Sequence, residues 1–225
     1  MGRPFSVSDE QIFEAANRVI SSRGPDAFSL AEVASEVGLS RAAIILRFKS
    51  TQGLKVTLLM RQVEQFAAAL AALPSAPSGD NLLQIAAFVG SYTNGRDSSA
   101  RFFFNYSVNL RDPQLMELER KRGELLSQAI SKVMPEVAVD HAVAVRAFRN
   151  HLTGCVLDWL SLEIADPRGF LVLQTREWLK LAGISFNKHT VRMLAGSVNN
   201  SRDPGANASQ VQSVGANRTR RRTAS

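Results

Sequence analysis

Residues 29–48, Ser-Leu-Ala-Glu-Val-Ala-Ser-Glu-Val-Gly-Leu-Ser-Arg-Ala-Ala-Ile-Ile-Leu-Arg-Phe, narrow the folding options of this chain more than any other stretch. Ser29 stands where a helix N-cap is needed, and Glu32, three positions on, completes the pattern of a capping box. Two short helices that cross steeply need a small residue at the crossing and a turn residue that tolerates positive φ. Ala34 and Gly38 meet those needs, and Ser40 caps a second helix directly after the turn. Leu30, Val33, Val37, Leu39, Ile44 and Phe48 fall at spacings that build a small shared core. An ordinary helical hairpin satisfies the apolar spacing as well. The joint occurrence of Ala34, Gly38 and Ser40 within one short window favours a helix-turn-helix, in which the second helix presents its N-terminal residues to the major groove.

The rest of the chain carries helical period, with no convincing alternation of strand type. A helix is expected over 8–22, with apolar positions Ile12, Ala15, Ala16, Val19 and Ile20, stopped at Gly24-Pro25. A long alanine- and leucine-rich helix is expected from Thr51 to about Ala72, closed by the Pro74–Gly79 linker. Further helices are predicted from Asp80 and over 99–110, 113–133, 140–165 and 167–183, the last two opening near Asp140 and Pro167. Beyond Asn187 the residues are mostly Ser, Asn, Ala, Gly, Gln and Arg, which predicts a disordered tail. The expected organisation is therefore all-α: a three-helix head at 1–50, a larger helical body at 51–185 and a basic tail at 186–225.

Composition removes other classes. With 45% hydrophobic and 21% charged residues, the chain has the balance of a globular protein. No apolar run reaches the ~18 residues of a membrane span, and Met1–Glu10 lacks the apolar stretch of a secretory signal. A single cysteine, Cys155, forbids an internal disulfide framework and fits the cytoplasm. The histidines at 141, 151 and 189 lack metal-ligand spacing, so no metal and no cofactor is expected. The net charge of +7 resides almost wholly in 186–225, which holds seven basic side chains and one acid. Bulk charge therefore does not mark a nucleic-acid surface; the placement of individual arginines has to.

The head resembles the tetracycline-repressor (TetR) family of bacterial regulators. The resemblance rests on Ala15-Ala16, Arg23-Gly24, Phe28-Ser29-Leu30, Val33-Ala34, Val37-Gly38-Leu39-Ser40, Phe48 and Leu54. It implies an all-helical homodimer that binds double-stranded DNA at a palindromic operator and a small-molecule effector in its body, most often as a repressor released by that effector. Beyond residue 60 the likeness is one of architecture. Ile45 stands where the family tends to carry a phosphate-contacting tyrosine, Thr51 where a lysine is common, and Ala42 where glycine is frequent. Two backbone contacts, which position a protein without specifying bases, are thus missing.

The DNA-binding set expected here is Arg3, Ser29, Ser40, Arg41, Ala42, Ala43, Ile45, Arg47, Lys49, Thr51 and Lys55. Arg41 is placed equally for a guanine or a phosphate, and the methyls of Ala42 and Ala43 for thymine methyls. Arg47 is expected to clamp the DNA backbone, and Gly2-Arg3-Pro4 fits a minor-groove arm or a free terminus. Leu46 has no assigned role on an exposed helix face. The polybasic run at 218–222 fits either nonspecific phosphate attraction or a solvated end.

In the body, aromatics concentrate over two adjacent helices. Phe66, Phe88, Tyr92, Phe103, Phe104, Tyr106 and Ser107 are the expected effector lining, for a mostly apolar molecule, although aromatics at helical spacing are usually core. The helices over 143–164 and 170–181 carry more apolar residues than one buried face accommodates. Phe148, Leu152, Val156, Trp159, Phe170, Leu173 and Trp178 are therefore expected at a two-fold interface, with burial inside one subunit as the alternative. Two rival readings remain: a helix-turn-helix used only for protein contacts, and an all-helical enzyme, for which His151 four residues before Cys155 is the one pair worth weighing.

Overall fold

The computed structural model describes residues 7–24, 28–93 and 96–196. Among them the chain forms ten helices and no strand: α1 (Asp9–Arg23), α2 (Leu30–Glu36), α3 (Arg41–Phe48), α4 (Thr51–Ala71), α5 (Gly79–Tyr92), α6 (Arg96–Asn109), α7 (Pro113–Val133), α8 (His141–Ser161), α9 (Pro167–Leu181) and α10 (Lys188–Ala195). Side chains set most of the starts. Ser8, Ser29, Ser40, Ser50 and Ser78 cap α1 to α5, each accepting a backbone N–H of the first turn. Asp112, Asp140 and Asp166 do the same for α7, α8 and α9. Each such cap is worth about 1 kcal/mol. The full reciprocal box forms at Ser8 and Gln11; at Ser29 the hydroxyl accepts from the Glu32 amide and donates to the Glu32 carboxylate instead.

The head packs around Ile12, Phe13, Ala15, Ala16 and Val19 of α1, Leu30, Val33 and Ala34 of α2, and Ile44 and Phe48 of α3. The turn between α2 and α3 closes as a Schellman motif: the Leu39 amide reaches the Ala34 carbonyl at 2.9 Å, while Gly38 takes φ 67°. Leu54 and Leu58 of α4 complete this core, so the structural head extends past residue 50, where the sequence placed its boundary.

α4 continues into the body. Leu59 and Val63 pack with Leu115 of α7, and the Phe66 ring meets Phe88 and Tyr92 of α5 at centroid distances of 5.7 and 5.3 Å. The same helix is bolted back to α1 by an ion pair between Arg61 and Glu10 and by a 3.0 Å hydrogen bond from Gln62 to Asn17. One helix thus shares both cores. The main body core joins α5, α7, α8, α9 and α10, with Leu82, Leu83, Ile130, Phe148, Leu152, Val172 and Leu179 all but solvent-free. α5 runs so close to the start of α9 that a β-carbon on Gly90 would stand 2.5 Å from Arg168 Cα.

Two expectations need correction. Phe148, Leu152, Val156, Trp159 and Phe170 are buried inside the protomer, and Leu173 and Trp178 are partly buried against its core. The apolar surplus on α8 is absorbed by α5, α7 and α9 together, because the helix is enclosed on several sides. Residues 188–195, predicted to begin a disordered tail, form α10 and bury Val191 and Ala195 against that core. No helix of the described residues is long and apolar enough to cross a membrane.

Candidate nucleic-acid interface and ligand site

The exposed face of α3 follows from its period. Ile44 and Phe48 point into the head core, and Ile45 packs partly against it. Arg41, Ala42, Leu46, Arg47 and Lys49 are left on the surface, with Ala43 half-buried. Arg41 makes no ion pair with a described residue and sits in the first turn, free to reach a base edge or a phosphate. Leu46 is 75% exposed, one helical turn beyond Ala42, so the middle of this face is apolar. Its position four residues after Ala42 and opposite Ile44 was readable from helical spacing alone.

Other members of the expected set are occupied. Arg47 donates to the Val7 carbonyl at 2.6 Å and approaches Asp9 at 3.4 Å, so it ties α3 to the start of α1 rather than projecting as a clamp. The Ser29 and Ser40 hydroxyls are used as caps. Lys55 lies with its ammonium 5.5 Å from the Phe28 ring centroid. Lys49 takes φ 70° in a tight turn in which the Ser50 amide reaches the Phe48 carbonyl at 2.8 Å, and its ammonium meets the Leu46 carbonyl. Thr51 is half-buried at the start of α4, behind the Ser50 cap. Arg3 and the run at 218–222 lie outside the described residues.

The aromatic residues of the body separate into groups. Phe66, Phe88 and Tyr92 form a mutual cluster. Phe103 packs instead with Cys155, Trp159 and Phe170. Phe104 is half-exposed and lies beside the end of α1, where a β-carbon on Gly24 would be 4.0 Å from its ring. Ser107 is exposed and bonds to the carbonyl of Phe104 within its own helix. Tyr106 is 38% exposed on the face of α6 that also carries Phe102 and Asn109.

That face leads to a polar group that no pattern in the sequence singles out. Glu119 of α7 is almost wholly buried; its carboxylate accepts from Asn109 at 2.8 Å and pairs with Arg122 one turn later. The Arg122 guanidinium stacks on the Phe102 ring at 4.5 Å. Burial holds the Glu119 carboxyl above its ordinary value against the opposing pull of Arg122 and Asn109, and burial likewise lowers Arg122. Nearby in the chain, Asn105 keeps a buried side-chain oxygen without a described partner.

His151 and Cys155 do adjoin, with sulfur-to-nitrogen distances of 3.6 and 3.7 Å. Burial pushes the thiol up to about 11 and lowers His151, so a neutral thiol faces a neutral imidazole. An activated nucleophile needs the opposite shifts. Thr175 and the Trp178 ring enclose His151 further, as a packed core histidine.

Residues 12–55 match the family model described as bacterial regulatory proteins, tetR family. No curated protein matches the chain. Among solved structures, the fold resembles the transcriptional regulator FadR from Bacillus subtilis in complex with stearoyl-CoA (16% identity, TM-score 0.62, 79% of this chain and 100% of the other). It also resembles the multidrug binding protein EbrR complexed with imidazole (22% identity, TM-score 0.59, 84% and 99%). A third is a regulator from Saccharomonospora viridis in complex with choline (19% identity, TM-score 0.62, 76% and 94%). The tetR family model thus spans the helix-turn-helix of this chain, and the all-helical fold of solved transcriptional regulators extends over most of its length.

Proposed function

We propose that this regulator is a repressor that binds a palindromic operator as a homodimer and is released from it by a small, mostly apolar effector. The observation that carries the reading is the continuity of α4, which supplies Leu54 and Leu58 to the head core and Phe66 to the aromatic cluster of the body. A molecule seated against that cluster acts on the helix that sets the position of α3. A coupling of about 1–3 kcal/mol between the two sites suffices for such a release. That solved relatives of the same fold hold ligands as different as stearoyl-CoA and choline supports a ligand-binding body.

On the DNA side, Arg41 is expected to carry the polar readout. Arg41→Ala should weaken binding to a fragment flanking the protein's own gene at least about fivefold, the lower end of what a bidentate arginine–guanine contact contributes. Gel shifts over a salt series check it: an unchanged affinity and salt slope would remove Arg41 from the interface. Tighter binding of the natural chain to palindromes than to single half-sites would support the dimer.

The surface for a second copy lies on the solvent side of α8. Val143, Ala147, Asn150, Gly154, Leu157 and Ser161 share that side, Val143 and Leu157 being 45% and 50% exposed. Leu181 at the end of α9 is 90% exposed. A β-carbon on Gly154 meets nothing within 4 Å in the protomer, so Gly154→Leu leaves the protomer intact while placing bulk on the proposed seam. Sedimentation should then give a dimer for the natural chain and a monomer for the variant. A monomer in both cases counts against the homodimer.

A further inference from the structure

Arg122 is poorly explained as a structural ion pair alone. Its side chain is only 15% exposed, yet a single N–H group, on Nη2, is used on Glu119. Both Glu119 oxygens are then occupied, one by Arg122 and one by Asn109. Nε and Nη1 of Arg122 carry no hydrogen bond to a described residue. The guanidinium is fixed in plane by the Phe102 ring below it and by Glu119 at one edge, which leaves its other edge as a preset donor fork. The phenols of Tyr92 and Tyr106 lie within electrostatic reach of it. Phe102, Tyr92 and Tyr106 are 43%, 49% and 38% exposed, one stacked on Arg122 and two within its electrostatic reach, unusual exposure for large rings beside a largely buried cation. Tyr92 continues the wall to Phe66 on α4.

A structural role for the pair accounts for the Nη2 contact and the docking of α6 on α7. It does not account for the unused fork or the exposed rings. A cation would suit the rings alone, but Arg122 opposes it, and Glu119, the carboxylate described beside it, is fully engaged. A carboxylate matches the fork in geometry and in charge.

We propose that the effector of this protein is an aryl carboxylate whose carboxylate binds the free edge of Arg122 while its ring lies against Phe102, Tyr92 and Tyr106. The assignment rests on reading the body as an effector site and names the chemistry of that site. Arg122 acts in it as the anchoring residue, and Glu119 and Asn109 position Arg122.

The test compares three probes of equal ring size on the full chain: 2-naphthoate, 2-naphthylmethanol and 2-naphthylmethylammonium. Calorimetric titration and melting shifts are expected to show naphthoate binding at least tenfold tighter than either other probe. Arg122→Lys keeps the ion pair but not the fork, and should lower naphthoate affinity about tenfold while leaving the alcohol unchanged. Glu119→Gln with Arg122→Met removes both charges together and should abolish the preference. Retention of tight naphthoate binding by either variant overturns the assignment. Tighter binding of the alcohol or the ammonium overturns the carboxylate and leaves the effector reading standing; binding of none of the three overturns both.

Discussion

Gly53→Ala is expected to destabilise the protein by about 2 kcal/mol, although alanine is the better helix former by about 1 kcal/mol. Gly53 lies in the first turn of α4, capped by Ser50 at 2.9 Å. A β-carbon there would overlap the carbonyl oxygen of Phe48 and stand 3.2 Å from its carbonyl carbon. Those are backbone atoms, already fixed by the turn in which Lys49 holds φ 70° and the Ser50 amide bonds to Phe48. No side chain can swing away, so the overlap must be relieved by moving α4 relative to α3. That displacement separates Leu54 from Phe48 in the head core and tilts the recognition helix, so DNA affinity should fall along with stability. Urea unfolding of Gly53→Ala beside Gly123→Ala isolates the cause. Gly123 is also helical, but its β-carbon would meet only Arg149 Nη1, at 4.0 Å, so that change should stabilise by about 0.5–1 kcal/mol. If both substitutions stabilise equally, the tight corner between α3 and α4 is not a constraint.

The contrast between those two glycines shows what the sequence can and cannot convey. Ala34, Gly38 and Ser40 announce the turn between α2 and α3 because their requirements are local: a small side chain, a positive φ and a cap within a few residues of one another. Gly53 obeys a requirement set by a carbonyl five residues away across a corner, and reads in sequence as a weak position in a helix. The same distinction runs through the body. Helical period gave the extent of α7 to the residue and the starts of α8 and α9 to within one, since Asp112, Asp140 and Asp166 and the prolines at 113 and 167 are local signals; α8 ends at Ser161 rather than 165 and α9 at Leu181 rather than 183. Which face of α8 is spare is decided by how many neighbours enclose it. Phe148 and Trp159 therefore looked like surplus and proved to be core. Arg47 looked like a phosphate clamp because its helix is the recognition helix; its partner, the Val7 carbonyl, is forty positions away in sequence. α10 was hidden by its short length, although Val191, Leu194 and Ala195 already sit at helical spacing.

The Glu119–Arg122 pair was the least legible element, and breaking it by the loss of Arg122 alone should have the largest effect. An acid and a base three residues apart on a helix ordinarily face water and contribute a few tenths of a kcal/mol. Here Asn109 and Phe102 of α6 cover the pair, which places it in another regime. Arg122→Met leaves the Glu119 carboxylate buried with one neutral partner, and should cost about 3 kcal/mol at neutral pH. The pH dependence identifies the cause. The folded Glu119 carboxyl already titrates above its ordinary 4.5 because of burial, with Arg122 opposing the rise. A raised folded value means that the group's stabilising contribution is complete below 4.5 and is lost as pH climbs through the folded value. Removing Arg122 raises that value further, so the variant loses stability over a wider range as pH increases. Its deficit against the natural chain should therefore be greatest near pH 7 and shrink as the pH falls, as Glu119 takes up a proton and the buried charge disappears. Adding Glu119→Gln should restore the neutral-pH deficit to within about 1 kcal/mol, since replacing both members of a buried pair is often nearly neutral. Urea unfolding of the single and double variants at pH 5 and 7 decides it. A deficit of equal size at both pH values, unrelieved by Glu119→Gln, would mean that Arg122 contributes through packing on Phe102 and not by balancing a buried charge.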